Sequence, residues 1–405
     1  MAALDGMRIL DMTQWEAGTA CTQSLAWLGA SVVKIEQPGV GDPGRGLRGN
    51  DGVDSEYFVN WNSNKRSVTI DLSSEKGRDL LLQMVPRYDV FVENYGPGVV
   101  EKLDIGYDVM RALHPDIIYL RIKGFGTTGP YAHYKCMDMV AQAAAGAFSI
   151  TGEPDGPPMR PGPTMGDAGT GVQAALAISA AYAQKLKTGE GQLIELSMQE
   201  AMTYYLRTAI SRTKFGQVAT PRTGNGENPF VSLYPCAPGG PNDYVFVMAV
   251  NPRMREAVCR TVGLPELLSD PRFSTAQARH ENRHLLFDEI GAWTRSHTKR
   301  ECMSELAEEG VCASQVYETN DLFTDPHLVE RDFVHKVEHA VHGQVQLLGW
   351  PARMSKSRVA IQAAPLLGEH TDEVLTEDLG LSAEDISDLR LNGSIGGEMI
   401  QETRT

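Results

Sequence analysis

The sequence has no run of about 18 consecutive apolar residues, the length a membrane-spanning helix needs. Its most apolar stretches, MVAQAAAGAFSI and VQAALAISAAYA, are shorter and carry glutamine, so no membrane partner is expected. The opening MAALDGMRILDMT holds Asp5 and lacks the apolar centre of a signal peptide, so no export is expected. No C-x-x-C pair occurs. Six cysteines (Cys21, Cys136, Cys236, Cys259, Cys302 and Cys312) lie scattered through 405 residues, which suits reduced thiols in a cytoplasm better than a disulfide framework. Positive charge is in short supply: 37 Lys and Arg stand against 52 Asp and Glu, a net charge of −15. That balance argues against nucleic acid or an anionic lipid surface as a bulk partner. There is no G-x-x-x-x-G-K-[ST] phosphate loop and no G-x-S-x-G nucleophile elbow.

Three partial motifs are present and fail on context. GVGDPG (39–44) and GFGTTG (124–129) fit G-x-G-x-x-G. A dinucleotide fingerprint must open a helix whose N-terminus holds the pyrophosphate. Here the first runs into RGLRG and the second into PYAHYK, neither of which starts a helical pattern. HENRH (280–284) fits H-E-x-x-H, but its flanks, QARHENRHLLFDE, are those of an exposed charged helix, and no metal is expected.

What is abundant is a rhythm. β-rich runs recur as RILDMT at 8, SVVKIE at 31, SVTIDL at 67, DVFVEN at 89, IIYLRIK at 117 and QLIELS at 192. Helical patterns lie between several of them, which predicts an α/β fold with a parallel sheet covered on both faces. A helix is predicted over 169–187, ending at KTGEGQ, and another from about Met198 to Phe215. From 216 to 243 the chain is rich in Gly, Pro, Asn and Asp. YVFVMAV then reads as a strand and charged helical stretches follow. The organisation expected is a large α/β domain over 1–215, a smaller α+β domain over 225–325, and a connecting segment over 326–405. The last ten residues read as loose.

Within MGDAGTG (165–171), Asp167 stands among glycines at the start of the predicted long helix. An acid there is commonly a cap, accepting a free backbone N–H. The same position offers positive potential that would keep a reactive carboxylate ionised. A set of cations lies near predicted strand ends in the first half: Lys34, Arg45, Arg48, Lys65, Arg66, Lys102, Lys123 and Lys135. In a doubly wound sheet that is where ligands bind, and a phosphorylated ligand needs several such charges.

Taken in order, LDGMRILDMTQWEAGTACTQSLAWLGASVVKIE, YFVNWNSNKRSVTIDL, VFVENYGPGVVEKL, IIYLRIKGFGTTGPY, MDMVAQAAAG, GDAGTGVQAALAISAAYAQKLKTGEGQ and APLLGEHTDEVL resemble the family III CoA-transferases over nearly the whole chain, most loosely from about 205 to 300. The nearest likeness within the family is to members that pass CoA from formyl-CoA to oxalate. The resemblance implies a Rossmann-like large domain built from both chain ends, a small inserted domain, and a homodimer of interlocked rings. It implies coenzyme A as acyl-CoA substrate and product, with a carboxylic acid as the other substrate. Asp167 would be the nucleophile, forming aspartyl mixed-anhydride and aspartyl-CoA thioester intermediates, with the flanking glycines letting the thioester approach. Gln14, Trp15, Glu16 and Ala17 would lie near the thioester, with Gln37, Arg45, Asn94, Tyr95, Lys102 and Lys135 along the CoA. Leu47, Tyr57, Met137 and Asp138, with Gly226, Glu227 and Asn228 of a covering loop, would form the substrate pocket.

Departures from that likeness bear on the substrate. Oxalate-type relatives carry His, Gln and Arg where this chain has Gln14, Glu16 and Gln37, an aromatic where it has Leu47, and a tyrosine where it has Met137. A glutamate at position 16 would repel a small dianion, so oxalate is not expected to be the best acceptor. An α-methylacyl-CoA racemase of the same fold is the alternative reaction, but it needs a proton carrier where Met137 stands. A non-catalytic CoA-binding protein is the remaining alternative.

Overall fold

The structure is a computed structural model in which residues 1–47 and 54–396 are described. Arg48 and nine of the ten C-terminal residues expected to be loose lie outside the described residues.

Six strands form one parallel sheet: β1 (Arg8–Met12), β2 (Ser31–Glu36), β3 (Arg66–Thr69), β4 (Val90–Glu93), β5 (Ile118–Lys123) and β6 (Leu193–Ser197). Their spatial order is β3-β2-β1-β4-β5-β6, all pairs parallel. The order reverses direction between β1 and β4, the place where a doubly wound sheet opens a crevice at its strand ends. The runs are rich in Val and Ile because both faces of the sheet are covered. Alternation then sorts the side chains. Leu10, Met12, Val33, Ile35, Phe91 and Tyr119 face one core, while Ile9, Val32, Val90, Val92, Ile118 and Leu120 face the other.

The second core is closed by α1 (Ala17–Trp27) and by the long helix α3 (Ala168–Thr188), which follows α2 (Asp138–Ala145) in the chain. The first core is closed partly by C-terminal helices: Val374 and Leu375 come from Thr371–Leu379, and Ile386 from Ala383–Leu391. Docking there is polar as well as apolar. Tyr88 donates to Asp378 at 2.5 Å, Arg8 pairs with the same carboxylate, and the Thr69 N–H donates to Thr371 Oγ1 at 3.1 Å.

Close packing divides the chain into two units. The first comprises residues 1–148, 160–219 and 332–405, and the second comprises 149–159 and 220–331. The second holds an antiparallel sheet of β7 (Val231–Pro235), β8 (Tyr244–Met248) and β9 (Cys312–Gln315) around a core that includes Phe230, Val245, Val247, Val258, Ile290 and Leu306.

Three local readings are corrected. The stretch 326–350, read as connective, holds the helix Pro326–Glu330 and an antiparallel hairpin of β10 (Val334–His339) and β11 (Gly343–Leu348). Its Val337 and Leu347 pack on Phe58 and Val59, which gives the hairpin a buried face. The helix expected over 198–215 is shorter. It runs as Met198–Tyr205 and Arg207–Ile210, then turns through left-handed Lys214 and Phe215. Finally, HENRH does not lie on one helix. The helix Ala276–Glu281 stops at Asn282 and a new one runs from Arg283 to Arg295, so His280 and His284 do not share a helix face.

Candidate active site

The strand ends at the reversal point frame a cavity of about 380 Å³ within the first unit. The loop after β1 supplies Gln14, Trp15 and Ala17, and the loop after β4 supplies Asn94, Tyr95 and Pro97. The segment after β5 supplies Gly124, Tyr134, Lys135, Cys136 and Met137, and Asp167 closes one wall. The first two loops are stitched together. The Gln14 N–H donates to Asn94 Oδ1 and Asn94 Nδ2 donates back to the Gln14 carbonyl, both at 2.8 Å, while Gln14 Nε2 donates to the Tyr95 hydroxyl at 3.2 Å.

Asp167 occupies the N-cap position of α3, but its side chain caps nothing. The capping reading is therefore wrong for this residue. Its backbone N–H donates to Asp138 Oδ1 at 3.0 Å, and the second oxygen of Asp138 accepts from Gln142 Nε2 at 2.8 Å. Glu16, between the lining residues Trp15 and Ala17, is 3 % exposed and does not itself line the cavity. Thr164 Oγ1 donates to its Oε1, and the Tyr57 hydroxyl donates to its Oε2 at 3.4 Å. Three carboxyl groups thus converge. Their electrostatics overturn the expectation that the helix start keeps Asp167 ionised. Burial, then the charges of Glu16 and Asp138, push its carboxyl up to about 8. Burial likewise raises Glu16 to about 7, against the opposing bond from Thr164 and with further help from Asp138. Tyr57 is held protonated by burial and by the negative charges of Glu16 and Asp167.

The glycines around Asp167 are required by packing. A Cβ on Gly166 would fall 2.6 Å from the Asp138 carbonyl oxygen, and one on Gly169 would fall 2.8 Å from the Tyr205 ring. One on Gly171 would fall 2.6 Å from the Ala17 carbonyl oxygen. Gly171 is where α1 and α3 touch, so it sets the approach of Glu16's helix to Asp167's.

The cation set divides. Lys34, Arg45, Lys65 and Lys123 are buried and paired with Asp42, Glu36, Asp11 and Glu93 respectively. Arg45 is held by both oxygens of Glu36 at 2.7 Å and by Asp54 at 2.6 Å, and it stacks on Phe58. It is a structural cation, and the ligand-binding role expected for it is corrected. Arg66 pairs with Glu373 and Glu377. Lys102 and Lys135 are exposed with no ion-pair partner among the described residues, and Lys135 lines the cavity. Gln37 is exposed in the turn after β2, and Leu47 is 37 % exposed; neither lines the cavity. Gly226, Glu227 and Asn228 belong to the second unit, where Glu227 and Asn228 line a separate cavity with Arg255, Arg279 and His280.

Sequence reasoning missed Thr164 and Asp42, which hold Glu16 and the Trp15 backbone. It also missed Tyr134 and Cys136, although both flank Lys135 directly. Nothing in the local sequence marks Thr164. Among the described residues no group of three or more His, Cys, Asp or Glu is arranged to hold a metal, and no helix is long and apolar enough to cross a membrane.

Known proteins carry the same pattern. Residues 4–371 match CoA-transferase family III. A formyl-CoA:oxalate CoA-transferase from Streptomyces avermitilis is 40% identical over 97% of this chain and 99% of its own length. One from Rhodopseudomonas palustris is 36% identical over 97% of each chain. The crystal structure of a CAIB/BAIF family protein from Brucella suis superposes with a TM-score of 0.83 at 30% identity, covering 93% of this chain and 99% of that one. The cavity at the sheet's reversal point, walled by Asp167, is therefore the feature of a chain that belongs to CoA-transferase family III and is an acyl-CoA CoA-transferase.

Proposed function

We propose that this enzyme moves CoA from an acyl-CoA to a free carboxylic acid through covalent intermediates on Asp167. The observation that carries the reading is Asp167 itself, a carboxyl on the cavity wall that makes no cap and has two carboxyl neighbours. In the first step a carboxylate oxygen of Asp167 attacks the thioester carbonyl, the C–S bond breaks, and CoA leaves as thiolate. The product on the enzyme is an acyl-aspartyl anhydride. The thiolate then attacks the aspartyl carbonyl, releasing the donor acid as carboxylate and leaving an aspartyl-CoA thioester. The acceptor carboxylate attacks that thioester, expelling CoA thiolate and forming a second anhydride. Attack of the thiolate on the acceptor's carbonyl yields the new acyl-CoA and restores Asp167.

The electrostatics suit this cycle in one respect. Anhydride and thioester are neutral, so each acylation removes a buried negative charge from beside Glu16 and Asp138. The same neighbours raise the basicity, and so the nucleophilicity, of the ionised form. Lys135 and Lys102, both exposed and without an acid partner among the described residues, are suited to the CoA phosphates, with Asn94 and Tyr95 shaping the adjoining wall. Met137 lines the cavity and carries no titratable proton, which supports transfer over racemisation.

Acceptor choice follows from Glu16. A buried acid that ionises near neutrality disfavours a small dianion, so a monocarboxylate or a longer dicarboxylate is favoured over oxalate. Six cysteines without disulfides favour a cytoplasmic setting. We assign an interlocked homodimer and a covering role for the loop carrying Gly226, Glu227 and Asn228 on family likeness. A folded monomer on dilution would refute the dimer.

The decisive experiment is trapping. The enzyme is incubated with acyl-CoA, quenched with hydroxylamine, and digested. The peptide containing MGDAGTG is expected to carry a hydroxamate at Asp167. A label confined to another peptide overturns the reading.

A further inference from the structure

Trp15 is a non-glycine residue with φ +62°, in the left-handed region that side chains rarely adopt. It sits between β1 and α1, and its side chain lines the cavity. Such a conformation is strained and persists only where the surroundings over-determine it. The surroundings here are unusual in kind.

Every peptide group of the Thr13–Trp15 turn is gripped. The Thr13 N–H donates to Asp11 Oδ1 at 2.9 Å, and the Thr13 carbonyl accepts from Lys34 Nζ at 2.6 Å. Gln14 is held on both its N–H and its carbonyl by Asn94. The Trp15 N–H donates to Asp42 Oδ1 at 3.1 Å, and its carbonyl accepts from Thr19 Oγ1 at 2.5 Å. Two of these holders are themselves an ion pair: Lys34 Nζ lies 2.8 Å from Asp42 Oδ2, with both side chains at most 1 % exposed. Asp42 is fixed in turn, its Oδ1 also accepting the Gly44 N–H at 2.8 Å and its own N–H donating to Glu36 at 2.9 Å.

From this we infer that Asp42, paired with Lys34, is a positioning residue. It clamps the turn that bends Trp15 into the left-handed conformation and so sets the shape of the cavity wall beside Asp167. One buried ion pair spans the turn, holding a carbonyl at its start and an N–H at its end. Neither charged group lines the cavity, so each acts through Trp15 rather than on the ligand. The ligand consequence rests on the reading that this cavity takes acyl-CoA; the clamp itself does not.

A substitution cycle separates a clamp from a merely structural ion pair. Asp42→Ala is placed in three backgrounds: the natural chain, Trp15→Phe and Trp15→Gly. Phe retains the conformational cost at position 15 and Gly removes it. The loss of melting temperature caused by Asp42→Ala is expected to be the same with Trp or Phe and reduced by at least half with Gly. An equal loss in all three backgrounds overturns the proposal. Because Asp42→Ala leaves Lys34 buried without its partner, the cycle is repeated with the neutral pair Asp42→Ala and Lys34→Met, for which the same pattern is expected and an equal loss is again fatal.

Binding of CoA is measured separately by calorimetry. Asp42→Ala is expected to weaken it about tenfold in the natural background. It should weaken it no more than about twofold once Trp15 is already Gly. Stability coupling without any change in CoA affinity would keep the clamp and reject this cavity as the CoA site. Absence of stability coupling rejects the clamp whatever happens to binding.

Discussion

Asp11 and Asp167 are two buried or partly buried carboxyl groups in one unit, and their surroundings are opposites. Asp11 ends up among cations. Burial alone would raise its carboxyl, but Lys65 and Lys34, with hydroxyl bonds from Thr13 and Thr22, bring it down to about 2. Asp167 ends up among acids, and burial with Glu16 and Asp138 takes it up to about 8. Identical side chains are thus driven apart by about six pH units through the sign of their neighbours. The first region uses its charge to hold backbone. The second keeps a carboxyl that gains by losing its charge, which suits an acyl acceptor.

The comparison breaks most sharply by removing each acid. Asp167→Asn should cut the transfer rate by about a thousandfold or more while leaving the fold intact, since nucleophile loss commonly costs several powers of ten. Steady-state assays with melting curves check this, and near-normal turnover would mean that Asp167 is a bystander. Asp11→Asn should do the reverse. It strands Lys65, which lies 3.0 Å away and is fully buried, and should destabilise the fold by about 3–5 kcal/mol, as breaking a buried pair does. Denaturant titration reads that loss, and activity per folded molecule should change far less.

A third test uses pH, where the two acids contribute with opposite sign. Asp11 has a depressed value, so its stabilisation is complete above the ordinary carboxylate range near 3.8 and is lost as pH falls toward 2. Asp167 has a raised value, so the folded state holds its proton more tightly than the unfolded one. Its contribution to stability therefore declines as pH rises from about 4 to about 8. Asp167→Asn should flatten the decline in stability between about pH 4 and about pH 8, and Asp11→Asn should flatten the acid limb below about pH 4. In the active enzyme, the rate should climb toward pH 8 as Asp167 ionises. Glu16→Gln, by removing a negative neighbour, should move that limb to lower pH, and an unmoved limb would deny the coupling. The smallest effect belongs to a control in the second unit: His280→Ala should change activity and melting temperature within error, because the helix break at Asn282 leaves no zinc-binding pair there. Loss of activity with loss of stoichiometric zinc would contradict it.

How much of this was legible in the sequence depended on whether the signal was local. The six strands of the main sheet announce themselves in runs such as SVVKIE and IIYLRIK, because a strand covered on both faces must be apolar on both. The β10–β11 hairpin did not. VHKVEH and GQVQLL are half-buried edge strands whose polar alternation resembles a charged loop. Asp167 was legible as a position and illegible as a charge. Its pKa is raised by burial and then by Glu16 and Asp138, some 150 and 29 residues away in sequence. The cations failed for the same reason. Nothing local distinguishes Arg45, saturated by Glu36 and Asp54, from Lys135, which lacks an acid partner among the described residues.

The docking of the C-terminal helices on the first strands has a consequence for biosynthesis. Leu10, Val33, Val68 and Phe91 share their core with Val374, Leu375 and Ile386. The sheet's early strands leave the ribosome long before the residues that cover them. At roughly 5–20 residues per second, the 248 residues from Lys123 to Thr371 take about 12 to 50 s to make. Throughout that interval one face of the growing sheet lacks part of its lid, and the nascent chain must be shielded by its neighbours or its caretakers until the last helices arrive.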